Sequence, residues 1–222
     1  MCGRYGFIPG SKKQFQERFR IDRVNFELKP RYNVAPGQIM PVITRNSPNK
    51  AEEMKWGLVP FWAKDPKIGY KMINARAETV AIKPSFRRSL MKQRCLIPVS
   101  GFYEWKKTDN TKIPYYIHLK NAELFSFAGL YDVWKDAEGK ELKSYTIITT
   151  EPNTLMAEIH NRMPAILSET TEETWLDPAN QNLSQLVGLL NPYMTIDMSA
   201  NPVSKLVNNP ENDSPEILKI EE

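Results

Sequence analysis

The stretch from Arg94 to Thr150 constrains the fold more than any other part of this 222-residue chain. It holds four runs rich in β-branched and aromatic residues: RCLIPVSGFYEW, PYYIHLK, FSFAGLYDVW and SYTIITT. Polar or glycine-bearing turns such as KTDNTK and KDAEGKE separate them. Residues of these types fit the pleated, half-buried surface of a sheet. No regular helices lie between the runs, which disfavours a doubly wound parallel sheet and points to an antiparallel meander. Further strands are expected at residues 3 to 8 and at IMPVIT, EMKWGLV and YMTIDMS, and helices at KKQFQERFR, SFRRSLMKQ, NTLMAEIH, TEETWLD and NLSQLVGLL. RYNVAPG and FWAKDPKIGY read as loops. The expected fold class is α+β, with a strongly bent antiparallel sheet or barrel.

The composition is that of an ordinary globular chain, 41% hydrophobic and 25% charged, and its length suits one domain with a full core. No apolar run is long enough to span a bilayer, and MCGRYGFIPGSKKQF has neither an apolar signal region nor a cleavage site. A soluble, cytoplasmic protein with no membrane association is therefore expected. The cysteines are Cys2 and Cys95 and there are two histidines, too few for a disulfide framework or a convincing zinc site. Neither a metal nor a cofactor is expected. The net charge of +4 is mild, but basic residues gather in KPSFRRSLMKQR, FWAKDPK and EWKK. Such clusters serve either as solvated faces or as contacts to nucleic acid.

Several residues fall where a plain core would not use them. If the initiator methionine is removed, Cys2 carries a free α-amine beside its thiol, a 1,2-aminothiol with two nucleophiles. INARAET sets Asn74, Arg76 and Glu78 at alternate positions, on one side of the chain if the segment is extended. In GFYEW, alternation aligns Glu104 with Phe102, and a carboxyl group in apolar company has its pKa raised towards neutrality. His160 is expected to end a helix and lead into NRMP, where Pro164 stops the helix and Arg162 sits on the turn. A helix-terminal histidine is equally well explained by the macrodipole. Glu104 alone also reads as half of an ion pair with Arg76 or Arg94. Phe61 and Trp62 follow Pro60 beside Lys64 and Lys67, placed either to stack on bases or to pack over a sheet edge.

Taken in order, Cys2, RYNVAPG, INARAET, GFYEWK and HNRMP make the chain resemble the SOS-response-associated peptidase (SRAP) family of abasic-site-processing proteins. The resemblance covers residues 2–208, a single SRAP-like domain, and leaves residues 209–222 as an acidic C-terminal tail. It implies a single compact domain around a barrel-like antiparallel sheet flanked by helices. It also implies that Cys2, freed of Met1, crosslinks to an abasic site in single-stranded DNA and shields the lesion. Met1 would leave by self-cleavage or by a cellular aminopeptidase, and weak lyase activity would be a side reaction.

Carried over, the resemblance makes Cys2 the nucleophile, Asn74 its polar support, Glu104 an acid/base and His160 a second proton carrier. Arg4, Asn33, Pro36, Phe61, Trp62, Arg76 and Arg162 match positions that hold or wedge DNA. Some bacterial relatives have two tryptophans where this chain has Phe61 and Trp62, and a phenyl ring still stacks but donates no hydrogen bond. The implied partner is single-stranded DNA with abasic sites, including those at junctions with duplex, bound by a monomer. Two other readings fit Cys2 or the basic clusters alone: an N-terminal-nucleophile glutamine amidotransferase, and a non-covalent single-strand-binding module.

Overall fold

Residues 2–45, 47–109 and 111–219 are described in a computed structural model. The first strands along the chain are β1 (Tyr5–Phe7), β2 (Arg31–Val34), β3 (Ile39–Thr44), β4 (Ser47–Trp56) and β5 (Asn74–Arg76). Then come β6 (Arg94–Val99), β7 (Gly101–Lys107), β8 (Lys112–Leu119), β9 (Phe125–Lys135) and β10 (Glu141–Thr150). The last are β11 (Met163–Pro164), β12 (Ile166–Leu167) and β13 (Met198–Pro202). The α-helices are α1 (Lys12–Phe19), α2 (Ala77–Val80), α3 (Pro84–Lys92), α4 (Thr154–Ala157), α5 (Glu169–Leu176) and α6 (Leu183–Gly188).

Strand β3 pairs with β4 and β6, β6 with β9, β9 with β10, and β10 with β4, so these strands close a barrel. The expected barrel is therefore present, with one parallel seam where Ser144 and Tyr145 of β10 face Lys55 and Trp56 of β4. Beyond that seam β10 takes β5 as a parallel partner, from Ile147 opposite Asn74 to Thr149 opposite Arg76. Short β11 and β12 add to β10 and β9, and the other five strands form an open antiparallel sheet in the order β13-β8-β7-β1-β2.

A shared aromatic core joins sheet and barrel. The Tyr5 and Tyr145 hydroxyls meet at 2.7 Å, Tyr5 lies 5.2 Å from Trp56, and Phe102 lies edge-on to Phe127 at 5.8 Å. All five of these side chains except Trp56 are fully buried, and Trp56 is 1% exposed. Burial of a side chain of this size is worth roughly 2–3 kcal/mol each. Helix α1 begins with a Ser11–Gln14 capping box and lays Phe15 and Phe19 into the same core.

The expected meander holds only in part. The run RCLIPVSGFYEW is two strands, broken at Ser100, where the chain leaves the barrel for the open sheet. Gly101 makes that passage possible: a Cβ there would fall 2.4 Å from Tyr116 Cζ and 2.7 Å from the Ile117 carbonyl oxygen. Strand β8 pairs with β7 and β13, and β9 returns to the barrel beside β6 and β10. Three local expectations are also corrected. FWAKDPKIGY contains a 3-10 turn at Pro66–Lys71, and YMTIDMS opens with another at Thr195–Asp197 before β13 begins. INARAET is extended only through Arg76, and α2 then turns Glu78 out of the alternating row.

The acidic C-terminal segment is docked on the open sheet as far as Lys219. The Asp213 carboxylate accepts hydrogen bonds from the backbone N–H groups of Tyr32 and Asn33 and from Arg31 Nε. Ile217 is fully buried with Tyr103, Val203 and Val207 in a second, smaller apolar cluster. Among the described residues no helix is long and apolar enough to cross a membrane.

Candidate active site

The antiparallel register of β1 against β7, Tyr5 opposite Phe102, continues past β1 through a hydrogen bond from Tyr103 N–H to the Arg4 carbonyl at 3.0 Å. That register carries the chain start along β7 toward Glu104. Cys2 is fully buried, its Sγ 3.9 Å from the Arg4 carbonyl oxygen. Burial, and next the nearby Glu104 charge, push its thiol pKa far above the ordinary range. The thiol is thus held protonated until a base takes its proton.

Glu104 is 3% exposed, on the inward face of β7 with Phe102, as alternation required. Burial raises its pKa to about 7. His160 reaches it from the turn that follows β10 and α4. Asn153 caps α4 through the Met156 N–H at 2.9 Å, the helix ends at Ala157, and the His160 N–H closes a turn on the Met156 carbonyl at 2.7 Å. His160 therefore lies beyond the helix rather than ending it. Its Nδ1 is 4.0 Å from Glu104 Oε1, 3.0 Å from the Arg162 backbone nitrogen and 3.2 Å from the Arg162 carbonyl oxygen, so it accepts from that N–H in one tautomer and donates to that carbonyl in the other. Burial lowers its pKa, so the ring is neutral at pH 7. Glu104 and His160 share a cleft of about 510 Å³ with Trp105, Lys107, Lys112 and Asn208.

The remaining residues sort by what their side chains touch. Asn74 donates to the Ile73 carbonyl at 3.0 Å, while its Oδ1 is buried with no hydrogen-bond partner among the described residues. Arg76 is exposed on β5, and Phe61 and Trp62 are each 50% exposed on a turn. Pro36 lies half-buried in the turn after β2. Arg162 is gripped by both oxygens of Glu78, at 2.6 and 3.1 Å, and donates to the Thr149 carbonyl at 2.6 Å. Arg4 donates to Asn33 Oδ1 and to the Val207 carbonyl, both at 2.8 Å.

Asn33 is not placed to touch DNA. It is fully buried, and its Nδ2 donates to the carbonyls of Val207, Asn209 and Asn212. Its work is to pin the C-terminal segment beneath Arg4. The alternative ion pairs of Glu104 with Arg76 or Arg94 are not formed. Arg94 is fully buried elsewhere and bonded to main-chain carbonyls.

Four residues of the cleft, Trp105, Lys107, Lys112 and Asn208, are not among the expected site residues. Trp105 donates from Nε1 to Asn208 Oδ1 at 2.7 Å, so the C-terminal segment forms one wall of the cleft. Lys107 and Lys112 face each other across the β7–β8 hairpin at its mouth. EWKK contained the signal for Trp105 and Lys107, whereas nothing local marks Asn208.

Comparison with known proteins agrees with the motifs. The pattern of the SOS response associated peptidase (SRAP) family matches residues 1–210. The abasic site processing protein YoqW of Bacillus subtilis (strain 168) is 51% identical over 99% of both chains. The abasic site processing protein HMCES of Xenopus tropicalis is 33% identical over 86% of this chain and 66% of its own length. A crystal structure of a protein from Bacteroides thetaiotaomicron superposes with a TM-score of 0.80 at 37% identity, covering 86% of this chain and 85% of that one. With its barrel and its ordered motifs matched over nearly the whole length, the chain belongs to the SOS response associated peptidase family.

Proposed function

We propose that this protein captures abasic sites in single-stranded DNA as a covalent thiazolidine through Cys2, once removal of Met1 has freed the α-amine. The observation that carries the reading is the burial of Cys2 beside Glu104, which in turn faces His160 across a cleft. Family membership and the names of the relatives support the substrate class.

An abasic deoxyribose is mostly a closed hemiacetal, and only its open aldehyde is electrophilic. The Glu104 carboxylate accepts the proton of the C1 hydroxyl as the ring C–O bond breaks, then returns a proton to the departing ring oxygen. A carboxyl group with a pKa of about 7 exists in both forms at neutral pH, which suits this shuttle. The neutral α-amine, with an ordinary pKa of about 7.7–8.0, attacks the aldehyde carbon, and loss of water leaves an imine. Cys2 Sγ then adds to the same carbon, its proton passing through Glu104 to the imine nitrogen, and the five-membered ring closes. Neutral His160 relays protons beside Glu104, and the partnerless Oδ1 of Asn74 supports the nitrogen as a hydrogen-bond acceptor.

Arg76, Arg162 and Arg4 hold the phosphates flanking the lesion, with Asn33 acting through Arg4. Pro36, Phe61 and Trp62 wedge and stack the unpaired strand, which favours single strands and their junctions with duplex. The protein acts as a monomer. Hydrolysis of the Met1–Cys2 peptide bond at this site accounts for the peptidase in the family name, and β-elimination from the imine gives weak strand cleavage.

A denaturing gel tests the reading. Methionine-free protein incubated with a single strand carrying an abasic site gives a heat-stable adduct, and an undamaged strand gives none. Cys2→Ala protein and protein retaining Met1 give none with either strand. No adduct from the methionine-free wild type would refute the proposal.

A further inference from the structure

We propose that helix α3 and the cleft beside it form a second nucleic-acid surface, which takes backbone phosphates of the strand running away from the lesion. The inference rests on the reading of this protein as a DNA-binding one and extends it to a region that none of the motif residues occupies. From Lys83 to Arg94 the chain has no acidic residue. Helix α3 buries Phe86, Ser89 and Leu90, and turns Lys83, Arg87, Arg88 and Lys92 to solvent. The Arg88 guanidinium lies 4.4 Å over the Phe61 ring, so this basic face is continuous with the aromatic turn.

Beside the helix is a cleft of about 390 Å³ lined by Arg45, Arg88, Lys92, Gln93, Pro178 and Gln181. Arg45 of this lining and Arg94, which shares the Met91 carbonyl with it, are buried guanidinium groups. Arg94 donates to the carbonyls of Leu90, Met91, Trp175, Asp177 and Asn180, and Arg45 to those of Met91 and Pro178. Among the described residues neither has a carboxylate at ion-pair distance. Carbonyl dipoles satisfy the N–H donors without cancelling the charge. Burial, and then repulsion from Arg45, push the Arg94 pKa down to about 10. Asp132 lies 3.5 Å from Arg88 and Asp177 acts on Arg94, but among the described residues no acidic one lines the cleft itself. The cleft is therefore cationic.

A small anion would need only the cleft. The basic face continues along α3, whose nine residues span about 13 Å, and on to Phe61, which suits an extended chain of phosphates beside stacked bases. Guanidinium groups bind such phosphates with directed donors, and the lysines add mobile charge.

The test uses the full chain with Lys83→Ala, Arg87→Ala and Lys92→Ala combined. All three side chains are exposed, so the fold is retained, and an unchanged melting temperature verifies it. Arg88 and Arg45 are left in place because they pack on Phe61 and hold main chain. Affinity is measured against salt for a long single strand and for a short one that covers only the lesion site. For the long strand the slope of log affinity against log salt falls by about 2, at roughly 0.7 per lost phosphate contact. For the short strand the slope and the crosslink yield stay at the wild-type level. An unchanged slope on the long strand overturns the proposal. So does an unchanged slope accompanied by loss of inorganic phosphate binding, which would mark a small-anion site. If wild-type protein forms no adduct, the covalent reading fails, while the slope comparison still decides this surface.

Discussion

Glu104 Oε1 and His160 Nδ1 lie 4.0 Å apart, one carried by the open sheet and the other by a turn that follows the barrel strand β10. Chemistry that needs both depends on the register between the two layers. Glu104→Gln keeps the shape of the side chain and removes its proton transfer. We expect crosslinking to slow roughly 100-fold while affinity for an abasic strand changes less than about threefold. The wild-type rate should rise with pH through about 7, as Glu104 ionises, and the variant should lose that limb. Single-turnover gels from pH 6 to pH 8.5 check both outcomes. Equal losses in rate and binding would make Glu104 a structural residue.

The same carboxyl sets a pH dependence of stability. Its pKa is about 7 in the folded protein against an ordinary 4.5, so the folded state binds the extra proton between those values. Stability therefore falls as pH rises through that window, since unfolding then releases a carboxyl that ionises freely. Glu104→Gln abolishes the dependence. Relative to wild type, the variant should gain about 3 kcal/mol between pH 4 and pH 8. Urea unfolding at the two pH values measures the difference, and a gain of equal size at both would remove Glu104 as its source.

Glu78 occupies both terminal nitrogens of Arg162, at 2.6 and 3.1 Å, the position that the proposed phosphate would take. Glu78 is 43% exposed, so the pair is screened and its loss costs about 1 kcal/mol at most. Arg162 holds the Glu78 carboxyl below its ordinary range, so this small contribution is present at neutral pH and fades as pH falls through the lowered value. Glu78→Gln should raise affinity for single-stranded DNA about threefold to tenfold at low salt, because the guanidinium no longer has a competing carboxylate. Fluorescence anisotropy reads this directly, and a weakened affinity would show that Glu78 orients Arg162 instead of competing with DNA.

The parts of this site that were legible in the sequence are those governed by local rules. Alternation in GFYEW placed Glu104 inward with Phe102, and Cys2 stood out by its position alone. Alternation failed in INARAET because it holds only while the chain stays extended, and α2 begins at Ala77. The parallel seam between β4 and β10 and the Trp105–Asn208 contact join segments far apart in the chain, the latter pair separated by 103 residues, and no local pattern records such pairings. Asn33 matches a position expected to hold DNA, yet its side chain is fully buried and reaches Arg4 and the C-terminal segment. RYNVAPG reads like a surface loop, whereas the residue is buried because Val207, Asn209 and Asn212 turn their carbonyls onto it.

That cluster makes the sharpest stability test. Asn33 Nδ2 donates to three carbonyls, its Oδ1 accepts from Arg4, and its side chain has no access to solvent. Asn33→Leu is close in size but satisfies none of these groups, and buried polar groups left without partners cost roughly 1–3 kcal/mol each. Some will recover water as the segment lifts, so a net loss of about 3 kcal/mol is expected, a fall in melting temperature of about 6–12 °C. The loss should be local as well as global. Freed from Asn33, residues 205–219 should become the first site of limited proteolysis, and the Trp105 to Asn208 bond should go with them. DNA capture should then fall because Arg4 and one wall of the cleft are released, although Glu104 and Cys2 stay in place. A variant that keeps its melting temperature and its protease resistance would show that the Asp213 carboxylate, with its grip on Arg31, Tyr32 and Asn33, holds the segment unaided.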